Sequence, residues 1–371
     1  MVRGEGRAGQ LVGFLIILTA LGSCLLAFLE LLEVEGAPRL SAVVLVGSIP
    51  VILLGCALFT NAVEHVGRIF KLSHQATGGL LAAVGTALPE SSIPVIAVIF
   101  GSKGHGEAVG VGAILGAPFM LATLALALLG FTVLVARARG KRQNLELSID
   151  TMAFRFELRI FLACFTGVLV VSLVNLSWLK FTAAVALVCL YAWYVKYSLS
   201  LKARKGEVYT KVLHMERYAG MPLEAKTVVV QLVVGLLFIL AGAKFFVSAV
   251  IALALYMKVS ALVLSLILAP LATELPEKYN SVMWALRGQD TLAVSNITGA
   301  MVFQSMIPVA FGLFFTKWNL GTIELINIIF ALGSAGLAYV LLVRSGSLKA
   351  TAMLTGGIFY VVYLAGVILR G

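Results

Sequence analysis

Apolar runs of about 18 residues or more recur from one end of the chain to the other, each long enough to cross roughly 30 Å of hydrocarbon. Lipid offers the backbone no hydrogen-bond partners, so a chain committed to it forms helices or a closed barrel. Barrel strands alternate polar and apolar residues over about ten positions, and these runs do not. An all-α transmembrane protein is therefore expected. Composition agrees: 61% of the 371 residues are hydrophobic and 12% charged, against about a quarter charged in soluble domains. Cys24, Cys56, Cys164 and Cys189 stand singly in apolar runs without metal spacing and read as small buried hydrophobes. His65, His74, His105 and His214 fall in or near loops and read as solvated.

Eleven spans are expected, over residues 10–32, 41–64, 76–101, 107–135, 158–176, 179–199, 227–254, 259–286, 290–315, 321–343 and 349–369. Arg3 and Arg7 precede the first as in a signal peptide. No small-x-small cleavage site follows, so residues 1–40 are expected to hold an extra, uncleaved helix. Lys and Arg crowd alternate loops. One side carries Arg3, Arg7, Arg68, Lys71, Arg137, Arg139, Lys141, Arg142, Arg155, Arg159, Arg287, Arg344 and Lys349 together with the basic stretch from Lys202 to Lys226. The other carries only Arg39, Lys103, Lys180, Lys258, Lys317 and Arg370. The positive-inside rule makes this a multi-pass cell-membrane protein with a cytoplasmic N-terminus and an external C-terminus. The net charge of +11 then reports topology and contact with the headgroups of the lipid bilayer. No nucleic acid is implied, and no protein partner is predictable.

An internal repeat runs through the chain. Leu54–Val63 is echoed by Ala241–Val250 at an offset of 187 residues, and at the same offset Gly85-Thr86-Ala87-Leu88-Pro89-Glu90 faces Ala272-Thr273-Glu274-Leu275-Pro276-Glu277. The spans holding Glu90 and Glu277 cross in opposite directions. Two similar units are thus inverted about an axis in the membrane plane, the arrangement in which secondary transporters form ion sites at the midplane. The expected organisation is a first repeat over 41–200, a short basic cytoplasmic linker over 201–226 and a second repeat over 227–371.

A carboxylate deep in a span needs a partner or a wet cavity. Glu90 and Glu277 each follow a proline, which removes a backbone donor and kinks or breaks the helix. Seven of the nine prolines (Pro50, Pro89, Pro94, Pro118, Pro270, Pro276 and Pro308) fall inside spans. Carbonyls near Ala83 and Pro270 are expected to be freed toward a cation. Thr86 and Thr273 lie four residues before their glutamates, on the same helix face, and Glu274 adds a third carboxylate. Oxygens of this kind make a hard-cation site: Ca²⁺ accepts six to eight of them in flexible geometry, whereas Mg²⁺ demands an octahedron. The bland alternative is a carboxylate pair that only holds helices together. Lys278 is either a structural ion-pair donor or an internal counter-charge, and Lys244 reads as snorkelling or paired.

At these motifs the sequence resembles the sodium/calcium exchanger family of the calcium/cation antiporter superfamily, whose inverted repeats carry G-T-S-x-P-E followed one span later by G-N-x-x-G-S-N-x-x-N or D. The later halves here are Gly112–Leu121 and Ser295–Gln304. The resemblance covers about residues 41–370. It implies a ten-helix core of two inverted five-helix repeats, beside the extra first helix, with both core ends outside. It also implies a central divalent site to which Glu90, Glu277, Thr86 and Thr273 carry over, with Ala83 and Pro270 at the backbone-carbonyl positions. The family's flanking oxygen ligands, associated with sodium, become Ala87, Ala117, Leu121 and Ala300. Gln304 replaces a carboxylate or amide, and Glu274 replaces a serine.

The expected function is a secondary-active antiporter that exports Ca²⁺ in exchange for Na⁺ or H⁺ by alternating access. Its metal-site residues would be Glu90, Glu277, Thr86, Thr273, Glu274, Ala83, Pro270 and Gln304. It would carry only transported cations and no tightly bound cofactor. A third carboxylate able to hold a proton keeps proton coupling open. The alternative is a non-transporting ion sensor or scaffold derived from an exchanger. An enzyme is not expected, since no nucleophile–base pair, phosphate loop or His-rich metal motif is present.

Overall fold

The structure, a computed structural model, describes residues 38–69, 90–101, 105–200 and 212–370. Helices fill nearly all of them. In chain order they are α1 (Pro38–Ile69), α2 (Glu90–Phe100), α3 (His105–Met120), a π-helical turn (Leu121–Ala125), α4 (Leu126–Ala138), α5 (Thr151–Val174) and α6 (Ser177–Ser200). There follow α7 (His214–Ala219), α8 (Ala225–Met257), α9 (Ala261–Thr273), α10 (Leu275–Leu286), α11 (Asp290–Phe315), α12 (Thr322–Ser345) and α13 (Ala350–Arg370).

Among the described residues eight helices are long and apolar enough to span a membrane: Arg39–Ala62, His105–Ala138, Thr151–Val174, Ser177–Ser198, Ala225–Met257, Asp290–Phe315, Thr322–Ser345 and Ala350–Val367. Each coincides with an expected span. Of the other three, 10–32 lies outside the described residues and 76–101 is described from Glu90 onward. The span 259–286 is broken at Glu274 into α9 and α10. The all-helical expectation missed one small departure: β1 (Glu146–Leu147) pairs antiparallel with β2 (Leu348–Lys349).

The helices fall into two compact units, one from Met1–Gly106 with Trp193–Ser260 and the other from Glu107–Ala192 with Ala261–Gly371. In the first, α1 packs against α8, and glycine sets the approach. A Cβ on Gly55 would lie 2.7 Å from the Ile239 nitrogen, one on Gly242 3.0 Å from the Ile52 nitrogen, and one on Gly235 2.7 Å from the Phe59 nitrogen. Lipid supplies no hydrophobic drive between helices, so small residues that admit close backbone contact hold such pairs together. The contacts 52–242, 55–239 and 59–235 run in opposite directions along the two helices, which are therefore antiparallel. They are also reciprocal, because Gly55 and Gly242, like Ile52 and Ile239, are related by the 187-residue offset. Below them Gln231, fully buried, donates through Nε2 to Leu58 O and Asn61 Oδ1, both at 2.9 Å, and accepts from Met215 N at 2.8 Å.

In the second unit α5 and α12 are likewise antiparallel. Arg155 donates to Leu342 O and Arg159 to the Tyr339 hydroxyl, while at the opposite end the Trp318 indole donates to Ser172 Oγ. Two groups of loops are pinned at the two ends. Arg142 pairs with buried Asp290, which also accepts from Ser148 N, and the β1–β2 pair lies with this group. At the other end Lys180 donates to Lys317 O and Asn319 Oδ1, and Lys317 N donates to Glu107. These are the two groups into which the charge count divides the loops.

Three expectations need correction. Cys56 and Cys164 are buried but Cys189 is exposed on α6. His65 is buried within α1 rather than solvated, because α1 runs on past the expected end of its span. His214 is half-buried and stacks on Tyr218 one helical turn away. His74 and Cys24 lie outside the described residues.

Candidate functional site

The break between α9 and α10 gathers several buried polar side chains, Thr273, Glu274, Glu277, Lys278 and Ser281. Pro276, in the first turn of α10, has no N–H to offer the Ala272 carbonyl. A helix begins readily there but cannot run through. Glu274, with φ −93° and ψ 6°, sits at the junction. Pro270 similarly withholds a donor from the Leu266 carbonyl. That carbonyl is where α3 comes closest: a Cβ on Gly116 would lie 2.1 Å from Leu266 O, and one on Gly112 2.3 Å from Leu262 O. Ser265 Oγ donates to Val109 O at 2.7 Å along the same seam. The Gly112-x-x-x-Gly116 spacing thus seats α3 on α9 by close backbone approach.

Around the break Glu274 is 0%, Glu277 4% and Lys278 6% exposed. Lys278 Nζ forms an ion pair with Glu274 Oε2 at 3.0 Å. The same ammonium donates to Met120 Sδ at 2.9 Å, at the end of α3, and to Pro270 O at 3.4 Å. Glu274 Oε1 and Glu277 Oε2 are buried with no hydrogen-bond partner among the described residues. Asn296 on α11 donates to Glu277 O and to Ser281 Oγ, both at 3.0 Å, and so ties α10 to α11. Two buried carboxylates, one of them paired with a single ammonium, carry more acceptors than donors, and a buried charge is tolerated only when it is compensated. A cation or a proton would fill the deficit.

Thr273 is buried and its hydroxyl donates to Ala269 O at 3.1 Å, leaving its lone pairs as acceptors. The Pro270 carbonyl, expected to be freed, instead accepts from Glu274 N at 3.0 Å as well as from Lys278, because the helix turn closes locally across the kink. Gln304 is buried on α11. In the first unit Glu90 is buried at the start of α2. Thr86 and Ala83 lie outside the described residues. Among the described residues no three His, Cys, Asp or Glu side chains gather as a metal cluster. Sequence reasoning missed Met120, Ser281 and Asn296. It left Lys278 undecided, although the Glu274–Lys278 spacing of four was a helical ion-pair signal.

Comparisons with known proteins agree with this architecture. The H⁺/Ca²⁺ exchanger CAX superimposes with a TM-score of 0.72 at 16% identity, over 96% of this chain and 91% of that one. The corresponding values for YfkE are 0.69, 16%, 96% and 99%. The sodium-calcium exchanger NCX_Mj, soaked with Na⁺ and Sr²⁺, gives 0.55 at 19% identity over 88% of this chain and 98% of that one. At such identities these likenesses establish the shared fold. A search of curated proteins by sequence finds no match. The model of the sodium/calcium exchanger protein family matches residues 40–200 and 227–370, both sides of the basic linker. The chain belongs to the sodium/calcium exchanger family, a family of membrane ion exchangers and not of enzymes.

Proposed function

We propose that this protein is a cation antiporter that exports Ca²⁺ from the cytoplasm in exchange for Na⁺ or H⁺. The observation that carries the reading is the pair of buried carboxylate oxygens on Glu274 and Glu277 that face no donor beside a broken span. Hard oxygen ligands at a helix break, deep in apolar surroundings, suit a cation that must shed its water on one side and regain it on the other. Glu90 stands to the first repeat as Glu277 stands to the second. The two carboxylates are the shared ligands of one midplane ion, supported by Thr86, Thr273 and Gln304 and by the Ala83 and Pro270 carbonyls. Glu274 is the group that balances charge or takes a proton.

The core is two inverted five-helix repeats, 41–200 and 227–371, joined by the linker at 201–226. Antiparallel, reciprocal packing of α1 on α8 supports that symmetry. Alternating access follows when one set of helices rocks against the other around the fixed site. The clustering of basic loops supports a cytoplasmic N-terminus. Ala87, Ala117, Leu121 and Ala300, which offer no side-chain oxygen, favour as second reading a sensor that binds Ca²⁺ without moving it.

Ca²⁺ flux in proteoliposomes under imposed Na⁺ and pH gradients tests both. Glu90→Gln and Glu277→Gln should abolish exchange in a folded protein, and undiminished flux in both removes the assignment. Ca²⁺ binding without flux in the wild type selects the sensor.

A further inference from the structure

We propose that the Lys278 ammonium is a tethered occupant of the cation site, so that the transported ion loads by displacing it. This inference rests on the antiporter reading. The Lys278 ammonium is met by acceptors from three parts of the unit: the Glu274 carboxylate, in an ion pair at the break, the Pro270 carbonyl on α9 and the Met120 sulfur at the end of α3. A lysine that served only to brace α10 would need no more than its i,i+4 carboxylate. This one reaches back across the break, eight residues along the chain, onto a carbonyl that the proposed function gives to the ion. The ammonium is a compact point charge, as a metal ion is, and its four-carbon stem lets it swing without moving the backbone. The thioether is a weak acceptor on a flexible side chain, so that contact is readily given up. Glu277, one turn along, keeps an oxygen without a donor while Lys278 serves Glu274. The second repeat's half of the site is thus partly neutralised when empty. It becomes a full set of oxygens once the ammonium withdraws.

The test is Ca²⁺ binding by calorimetry, with thermal unfolding, on the full chain in detergent. Lys278→Met should tighten apparent Ca²⁺ binding by about ten-fold or more, since a charged hydrogen bond that no longer competes is worth roughly that factor. Without Ca²⁺ this variant should unfold at a lower temperature than the wild type. Saturating Ca²⁺ should close the gap, because the metal takes the ammonium's place. A gap of equal size with and without Ca²⁺, or unchanged or weaker binding, overturns the proposal and leaves Lys278 a brace. Should Lys278→Met fail to fold, Lys278→Arg provides the converse. A guanidinium can grip the carboxylate through two donors and should weaken Ca²⁺ binding about ten-fold, whereas wild-type affinity overturns the proposal. Normal wild-type exchange alongside a failed Lys278 result sinks only the tethered cation. A wild type that neither binds nor moves Ca²⁺ sinks the antiporter reading and this inference with it.

Discussion

Gly116→Ala is the most searching small change available near the site. The added Cβ would lie 2.1 Å from Leu266 O and 2.8 Å from Pro270 Cγ. Carbon–oxygen contacts ordinarily begin near 3.3 Å, so α9 must retreat by about 1 Å. The obstacle is backbone, so no rotamer change relieves it. Alanine gains about 1 kcal/mol of helix propensity over glycine, and overpacking costs about 1–3 kcal/mol. The net loss of stability should therefore be small, about 0–2 kcal/mol. Function should suffer far more, because α9 carries Pro270 and Thr273 and leads into Glu274. A displacement near 1 Å at a site that depends on geometry can lower a rate about 100-fold. Ca²⁺ flux in proteoliposomes, read beside thermal unfolding in detergent, measures both. Gly167→Ala on α5 is the control, since nothing lies within 4 Å of the added methyl; it should leave flux alone and not destabilise. Wild-type flux in Gly116→Ala would refute the claim that α3 and α9 set the geometry of the site.

Two further predictions concern the supports of each unit. Gln231→Ala should destabilise by about 1–3 kcal/mol through stranded groups at Leu58 and Met215, and should speed proteolysis at exposed Arg217; unchanged melting and cleavage would contradict it. Asp290→Ala strands Arg142 and should cost about 3–5 kcal/mol, whereas Arg142→Met with Asp290→Leu should recover most of that in a melting experiment. A double variant no better than the single would show that the pair is not the source of the loss.

Much of the architecture was legible because lipid imposes one simple rule, that apolar length means a span, and eight helices obey it. The break at Glu274 was legible as well, since Pro276 cannot continue a helix. The partners at the break were not. Met120 reads as one more apolar residue in a buried run, and only packing reveals its sulfur beneath the Lys278 ammonium. The Pro270 carbonyl was expected to be free because the kink was pictured as opening the turn, whereas Glu274 N still closes it. Arg142 read as a loop charge, and its pairing with buried Asp290 depends on a chain reversal that residue patterns do not encode. Asn296 and Ser281 were visible as polar residues in spans, but not as a pair.

The central claim is that one cation is shared by the carboxylates of the two repeats. It is tested most directly by crystals soaked in Sr²⁺ or Ca²⁺, with the ion located by its anomalous signal. The account predicts a single buried peak about 2.3–2.6 Å from carboxylate oxygens of both Glu90 and Glu277. A peak bound by Glu277 with Glu90 out of coordination reach, or no buried peak in a protein that exchanges Ca²⁺, would contradict it.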